Sequence, residues 1–253
     1  MKKDNILSFC LLFLGIHATF FVAAQLPQKQ VTQNYQAWIS NNSTWRFTDK
    51  WGMVVDYHYR SNHFFSDPNF HFFRVGANYW IKDNLTVTAG LAHMWLAPSK
   101  TGWHTYANEN RIYQQVQLVQ KIGSVSLLQR IRNEQRWQDK IVNDKRTGDY
   151  KFTNRVRYLL SLNIPLKPKD KNFPSLVLAD EFFMHFGKEV VYNTFEQNRF
   201  FVGIRQRVTH NLNFDMGYMN LYQQKSSGYQ YDENHTFRWF FYYTPDFRKK
   251  HKA

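Results

Sequence analysis

The chain has 253 residues, 18% of them aromatic, a formal charge of +14 and a mean hydropathy of -0.59. Its single cysteine excludes an internal disulfide framework, and beyond the first residues no apolar run is long enough to cross a membrane as a helix. A basic balance of this size suits nucleic-acid binding, but no zinc-ligand spacing, RNA-binding sheet motif or helix-turn-helix pattern accompanies it. An anion-attracting interior, or contact with anionic lipid headgroups, accounts for it better.

Lys2 and Lys3 precede an almost wholly apolar stretch, Ile6 to Ala24, that closes on Val22-Ala23-Ala24. Basic head, apolar middle and small-residue exit mark a secretory signal peptide, residues 1–24, cleaved after Ala24. A single membrane anchor is the alternative, because the run is nearly bilayer length. The polar sequence that follows favours the signal. Cys10 follows Phe9, where acylation after cleavage would want a small residue, so a lipoprotein is not expected. The mature chain then carries neither a disulfide nor a thiol nucleophile in an oxidising compartment.

Beyond the leader the dominant period is two, the strand period, rather than the 3.6 of an amphipathic helix. Eleven strands are expected, over 33–47, 51–60, 70–81, 85–96, 109–121, 125–137, 150–164, 175–186, 195–208, 211–223 and 233–243. In the seventh, Thr153, Arg155, Arg157, Ser161 and Asn163 oppose Phe152, Val156, Tyr158, Leu160, Leu162 and Ile164. In the tenth, Asn213, Asp215 and Gly217 oppose Leu212, Phe214, Met216 and Tyr218. Short turns fall near Asp49-Lys50, Lys82-Asp83-Asn84, Ile122-Gly123-Ser124 and Thr209-His210-Asn211. Longer polar loops are expected at Ser61–Asn69, Pro98–Asn108, Gln138–Gly148, Gly187–Thr194 and Lys225–Asp232.

Together these features specify an all-β chain: a single antiparallel transmembrane β-barrel of about ten to twelve strands, with short periplasmic turns and longer extracellular loops. The barrel spans residues 25–247 and a basic tail follows at 248–253. A soluble periplasmic β-protein, such as a β-sandwich, also alternates. Its solvent face would carry mixed Lys and Glu rather than the arginines seen here. Eleven is an awkward count, since single-chain bacterial barrels usually have an even number of strands. A short strand before residue 33, or an N-terminal segment threading the lumen, would resolve it. Trp80, Trp95, Tyr218, Trp239, Phe241 and Tyr243 fall at or near strand ends, where aromatic girdles meet the lipid interface.

The order of Glu109-Asn110-Arg111, Arg130-Ile131-Arg132-Asn133-Glu134-Gln135-Arg136, Asn154-Arg155-Val156-Arg157-Tyr158, Asp180-Glu181-Phe182-Phe183, Gln197-Asn198-Arg199-Phe200-Phe201-Val202-Gly203 and Met216-Gly217-Tyr218-Met219-Asn220 resembles the family of domain of unknown function 2490. The resemblance covers nearly the whole mature chain. It implies a signal-bearing outer-membrane β-barrel of a Gram-negative bacterium and supplies no catalytic residues.

With the charged face inward, the lumen cluster comprises Arg111, Arg130, Arg132, Glu134, Arg136, Arg155, Arg157, Glu181, Arg199, Arg205, Asp215 and Arg238, with Arg74, Arg207 and Asp56 beside them. Surplus arginine in a confined space favours anions, so the expected role is a narrow anion-favouring, porin-like pore or binding protein. The same residues could instead cross-link into a structural plug. Asp180 and Glu181 are adjacent, so one would face lipid unless a β-bulge intervenes. A membrane-embedded lipid hydrolase is the alternative from another class. His185, beyond Glu181, is its nearest acid–base candidate, but serine is scarce in the strands and no nucleophile motif is present. The chain is therefore not expected to be an enzyme. No cofactor is expected, and no metal, since no His/Asp/Glu group has ligand spacing. Expected partners are outer-membrane lipids, the barrel assembly machinery and a small anionic solute, with no nucleic acid.

Overall fold

The computed structural model describes residues 28–98 and 100–248. The expected signal peptide and nearly all of the basic tail lie outside them. Eleven strands follow one another: β1 Gln30–Arg46, β2 Trp51–Asn62, β3 Asp67–Lys82, β4 Leu85–Leu96, β5 Ala107–Ile122, β6 Val125–Val142, β7 Lys145–Pro165, β8 Ser175–Phe186, β9 Phe195–Arg207, β10 Leu212–Gln224 and β11 Gln230–Tyr243. Each pairs antiparallel with the next, and β11 returns to β1 to close a barrel.

An odd number of alternating strands leaves the first and last pointing the same way. The closing seam is therefore parallel, and this resolves the awkward count without an added strand. Where the chain continues past β11 the parallel pairing is explicit: the Arg46 amide donates to Pro245 O (3.1 Å) and the Phe247 amide donates to Arg46 O (2.8 Å). Side chains join the same seam. Gln36 Nε2 on β1 donates both to Asn234 Oδ1 on β11 (3.1 Å) and to Asn62 Oδ1 on β2 (3.2 Å).

Alternation places the polar face inside. On β7, Thr153, Arg155 and Arg157 are buried while Phe152, Tyr158 and Leu160 are exposed. On β5, Glu109, Arg111 and Tyr113 are buried while Ile112 and Val116 are exposed. Two apolar patches share the interior: Trp38, Val177, Ala179, Phe201, Met219 and Leu221 form one, and Phe72, Ala92 and Met94 the other. Trp80 departs from the expected girdle. It has the parity of Arg74 and Asn78, so it points inward over Gly52 and beneath the Arg46 guanidinium, 4.8 Å from the ring centre. Being near a strand end does not override the face set by the pleat.

Two other expectations need correction. Gln138–Gly148 is not a long loop. β6 and β7 continue through it to Val142 and Lys145, joined by Asn143-Asp144. Both turn residues have left-handed backbone (φ 49° and 57°), the type I′ geometry whose twist matches a hairpin. Nor is there a bulge at Asp180-Glu181. Pairing is regular there, Glu181 is buried, and Asp180 points outward and accepts from Asn198 Nδ2 at 2.8 Å.

The Asn143-Asp144 turn also holds the neighbouring loop. The Asp144 carboxylate accepts from the backbone N–H groups of His104 (3.0 Å) and Thr105 (2.7 Å). These donors hold its carboxyl below the usual carboxylate range. A depressed folded-state pKa means the latch contributes fully above the ordinary carboxylate pKa and is lost as pH falls through the folded value. Amide exchange at His104 and Thr105 should be slower in the wild type than in Asp144→Asn near neutral pH. The difference should close on acidification.

The inward glycines of β3 and β4 leave room for an aromatic ring. A Cβ on Gly90 would lie 2.9 Å from Tyr113 Cε1, and one on Gly76 would strike the Tyr113 hydroxyl. Gly90→Val should therefore destabilise the barrel by about 1–3 kcal/mol, the usual cost of overpacking, measured as a lower unfolding midpoint in detergent.

Candidate functional site

The most distinctive chemistry lies inside the barrel, where alternation on β5 to β9 projects arginines and glutamates toward one another. They form an alternating chain. Glu109 accepts from Arg111 Nε (2.6 Å) and Arg136 Nε (2.8 Å). Arg136 Nη1 also donates to Glu196 Oε1 (2.6 Å), to which Arg155 Nη1 donates at 3.2 Å. Arg155 Nε donates to Glu134 Oε2 (2.6 Å), and Arg157 links Glu134 (3.1 Å) to Glu181 (2.7 Å). Arg130 Nη2 ends the chain on Glu181 at 2.6 Å. Glu134 is the hub: it is 1% exposed, with Arg111 and Arg132 also each 3.9 Å from its Oε1.

Two further ion pairs stand apart from this chain. Asp56 pairs with Arg74 across β2 and β3. Asp215 receives Arg205 through two parallel hydrogen bonds, 2.6 and 2.8 Å, with Arg238 3.9 Å away. The fork of donors on arginine makes this bidentate match to a carboxylate. Arg207 does not join the cluster. It lies at the end of β9 and donates to the Thr209 carbonyl.

The structure adds four groups to the sequence-derived cluster. Glu109 has the parity of Arg111, two residues on, and strict alternation would have found it; so would the parity of Asp56 for His58 and Arg60. Glu196 could not be found that way. Phe183 pairs with Gln197 while Met184 pairs with Phe195, so Glu196 is an extra residue at a register shift. The bulge turns it inward next to Gln197, and both are buried.

Away from the rims, eleven arginines (the ten in these contacts, counting Arg199, plus Arg60) face six carboxylates: Asp56, Glu109, Glu134, Glu181, Glu196 and Asp215. Aromatic faces take up part of the surplus. Arg157 and Arg199 each lie 4.4 Å from the Phe183 ring centre. Arg74 and Arg132 lie 5.3 and 5.4 Å from Tyr113, and Arg238 lies 4.1 Å from Phe201.

His185 is opposite Arg155 in the β7–β8 pairing, and no hydrogen bond joins its ring to Glu181 or to a serine among the described residues. Among the same residues no group of His, Cys, Asp and Glu could hold a metal ion.

A family model described as a protein of unknown function (DUF2490) matches residues 35–232. The chain belongs to this family. The matched span runs from β1 to the start of β11 and so contains every carboxylate of the interior lattice. No match was found among curated proteins or among solved structures.

Removing the hub carboxylate would leave buried Arg155 without its closest partner and Arg157 without one of its two. Glu134→Gln keeps the shape and should cost about 3–5 kcal/mol, as breaking a buried ion pair does. Asp83→Asn, which breaks the rim pair with Arg46, should leave stability unchanged in the same denaturant titration.

Proposed function

We propose that this protein is an outer-membrane β-barrel of a Gram-negative bacterium, exported by its signal peptide, whose charged interior is occluded so that it binds anions rather than conducting freely. The observation that carries the reading is the inverted distribution of polarity. Glu134, Asp56 and Asp215 are buried while Leu91, Ile112, Ile131, Tyr158 and Phe200 are exposed. A protein dissolved in water has no reason to expose aliphatic and aromatic side chains around a whole barrel, whereas a hydrocarbon solvent requires it.

The polar groups on the outer wall support the same reading, because they pair with one another across strands. Tyr57 and His71, Tyr218 and His235, and His93 and Asn110 are each joined by 2.7 Å hydrogen bonds. Asn133 donates to Gln114, and Gln114 to Gln135, at 3.1 and 3.2 Å. Mutual satisfaction is what a polar side chain needs where no water can reach it. Beside them, Trp51, Tyr79, Val87, Val116 and Ile131 wall an apolar groove over Ala77 and Ala89 that an acyl chain would fill.

Occlusion is supported by the interior lattice, which runs unbroken from Glu109 to Arg130. Free conduction would require those pairs to part.

Three results are expected. The protein stays in membranes through an alkaline carbonate wash, it migrates faster unheated than heated, and it gives no sustained current in planar bilayers. Replacing Arg157 and Glu181 together by alanine opens the middle of the lattice and should produce discrete current steps. Release by carbonate without detergent would point instead to a soluble periplasmic protein, and large steps from the wild type would replace the occluded barrel with a pore.

A further inference from the structure

In one part of the interior the guanidiniums outnumber their counter-charges. The Arg60 side chain makes no ion pair or hydrogen bond among the described residues, and its buried Nε has no partner. Its guanidinium lies 3.3 Å from the Trp38 ring centre and 4.4 Å from that of Phe70. Arg199 approaches the same Trp38 ring at 4.9 Å. Among the described residues its one carboxylate contact is Glu181 at 3.9 Å; its Nη2 donates to Gln197 Oε1 at 3.3 Å, and its Nε is buried and unpartnered. His58, the preceding inward residue of β2, is 9% exposed, and neither ring nitrogen has a partner.

We propose that a phosphate-type oxyanion binds inside the barrel between Arg60, Arg199 and His58. Like charges gathered about one ring in a poorly polarisable space repel, and an anion among them turns that repulsion into attraction. Arginine forks match tetrahedral and planar oxyanions, and histidine adds a further donor. The surplus of positive charge exceeds what one monocarboxylate would offset, which favours a multiply charged group. Arg60 is half-buried and stands two residues before the end of β2 at Asn62, which puts the site toward the loop rim. The phosphate could be a free one or the headgroup of a lipid.

The proposal rests on the occluded anion-binding barrel described above. The test is calorimetric titration of the full chain, folded in a phosphorus-free detergent, with sodium phosphate at fixed ionic strength in chloride. Saturable binding is expected. Arg60→Gln should weaken it at least tenfold while keeping the heat-dependent shift in migration, and Arg46→Gln should leave it unchanged. If Arg60→Gln does not fold, His58→Gln carries the same expectation. A folded barrel with no saturable phosphate binding, or equal affinity in both variants, overturns the proposal. Native mass spectrometry of protein taken from membranes separates the sources. A retained phospholipid displaced by added phosphate assigns the site to a headgroup, and retained inorganic phosphate assigns it to a soluble ion. A barrel that conducts freely yet binds phosphate through Arg60 would sink occlusion and leave this site standing. A closed barrel that binds none would do the reverse.

Discussion

The structure depends on one constraint: ionised side chains removed from water must find counter-charges. A buried carboxylate or guanidinium alone would cost many kcal/mol, and even a paired one repays its desolvation only with good geometry. Glu134 meets that condition with hydrogen bonds from two arginines and two more guanidiniums at the edge of contact. Because Arg136, Arg155 and Arg157 each reach two carboxylates, the lattice joins β5 to β9 without passing through the backbone. Strand pairing closes the wall, and the lattice fixes what the wall encloses.

Aromatic rings extend the same logic to arginines that outnumber the acids. Phe183 and Tyr113 are almost fully buried, and each receives guanidiniums on its face. The ring quadrupole offsets part of a cation's desolvation, and the flat ring needs glycines opposite it, which Gly76 and Gly90 supply beneath Tyr113. Arginine, aromatic and glycine are thus one packing unit. Arg60 lies against Trp38 and Phe70 in the same way but acquires no carboxylate.

The outer wall answers the opposite demand. Its aliphatic and aromatic side chains suit hydrocarbon, and its polar ones are joined in pairs across neighbouring strands. Apart from the register shifts, inner and outer faces alternate residue by residue along the strands, so a single-residue slip would exchange them and bury neither set properly. This ties the register of the barrel to the charge lattice: the pairing that lets Arg155 reach Glu134 is also the pairing that turns Val156 and Tyr158 outward.

Period-two alternation is a local property, and the sequence by itself therefore determined the strands, their order and the identity of the charged face. It showed Arg155 and Arg157 opposite Val156 and Tyr158, and it counted eleven strands before any pairing was known. It could not determine features that arise between strands. Glu196 enters the lattice through a register shift against β8, which leaves no mark in the alternation of β9 alone. Trp80 points inward because of its parity within β3, although its place near a strand end suggested a girdle. A polar stretch that read as a loop became the extended β6–β7 hairpin, since two left-handed residues suffice to reverse the chain. Closure with an odd count became possible through a parallel seam, a relation between the two ends of the chain. Burial and charge pairing are three-dimensional sums over several strands, so tertiary structure alone decided which arginines acquired carboxylates and left Arg60 without one.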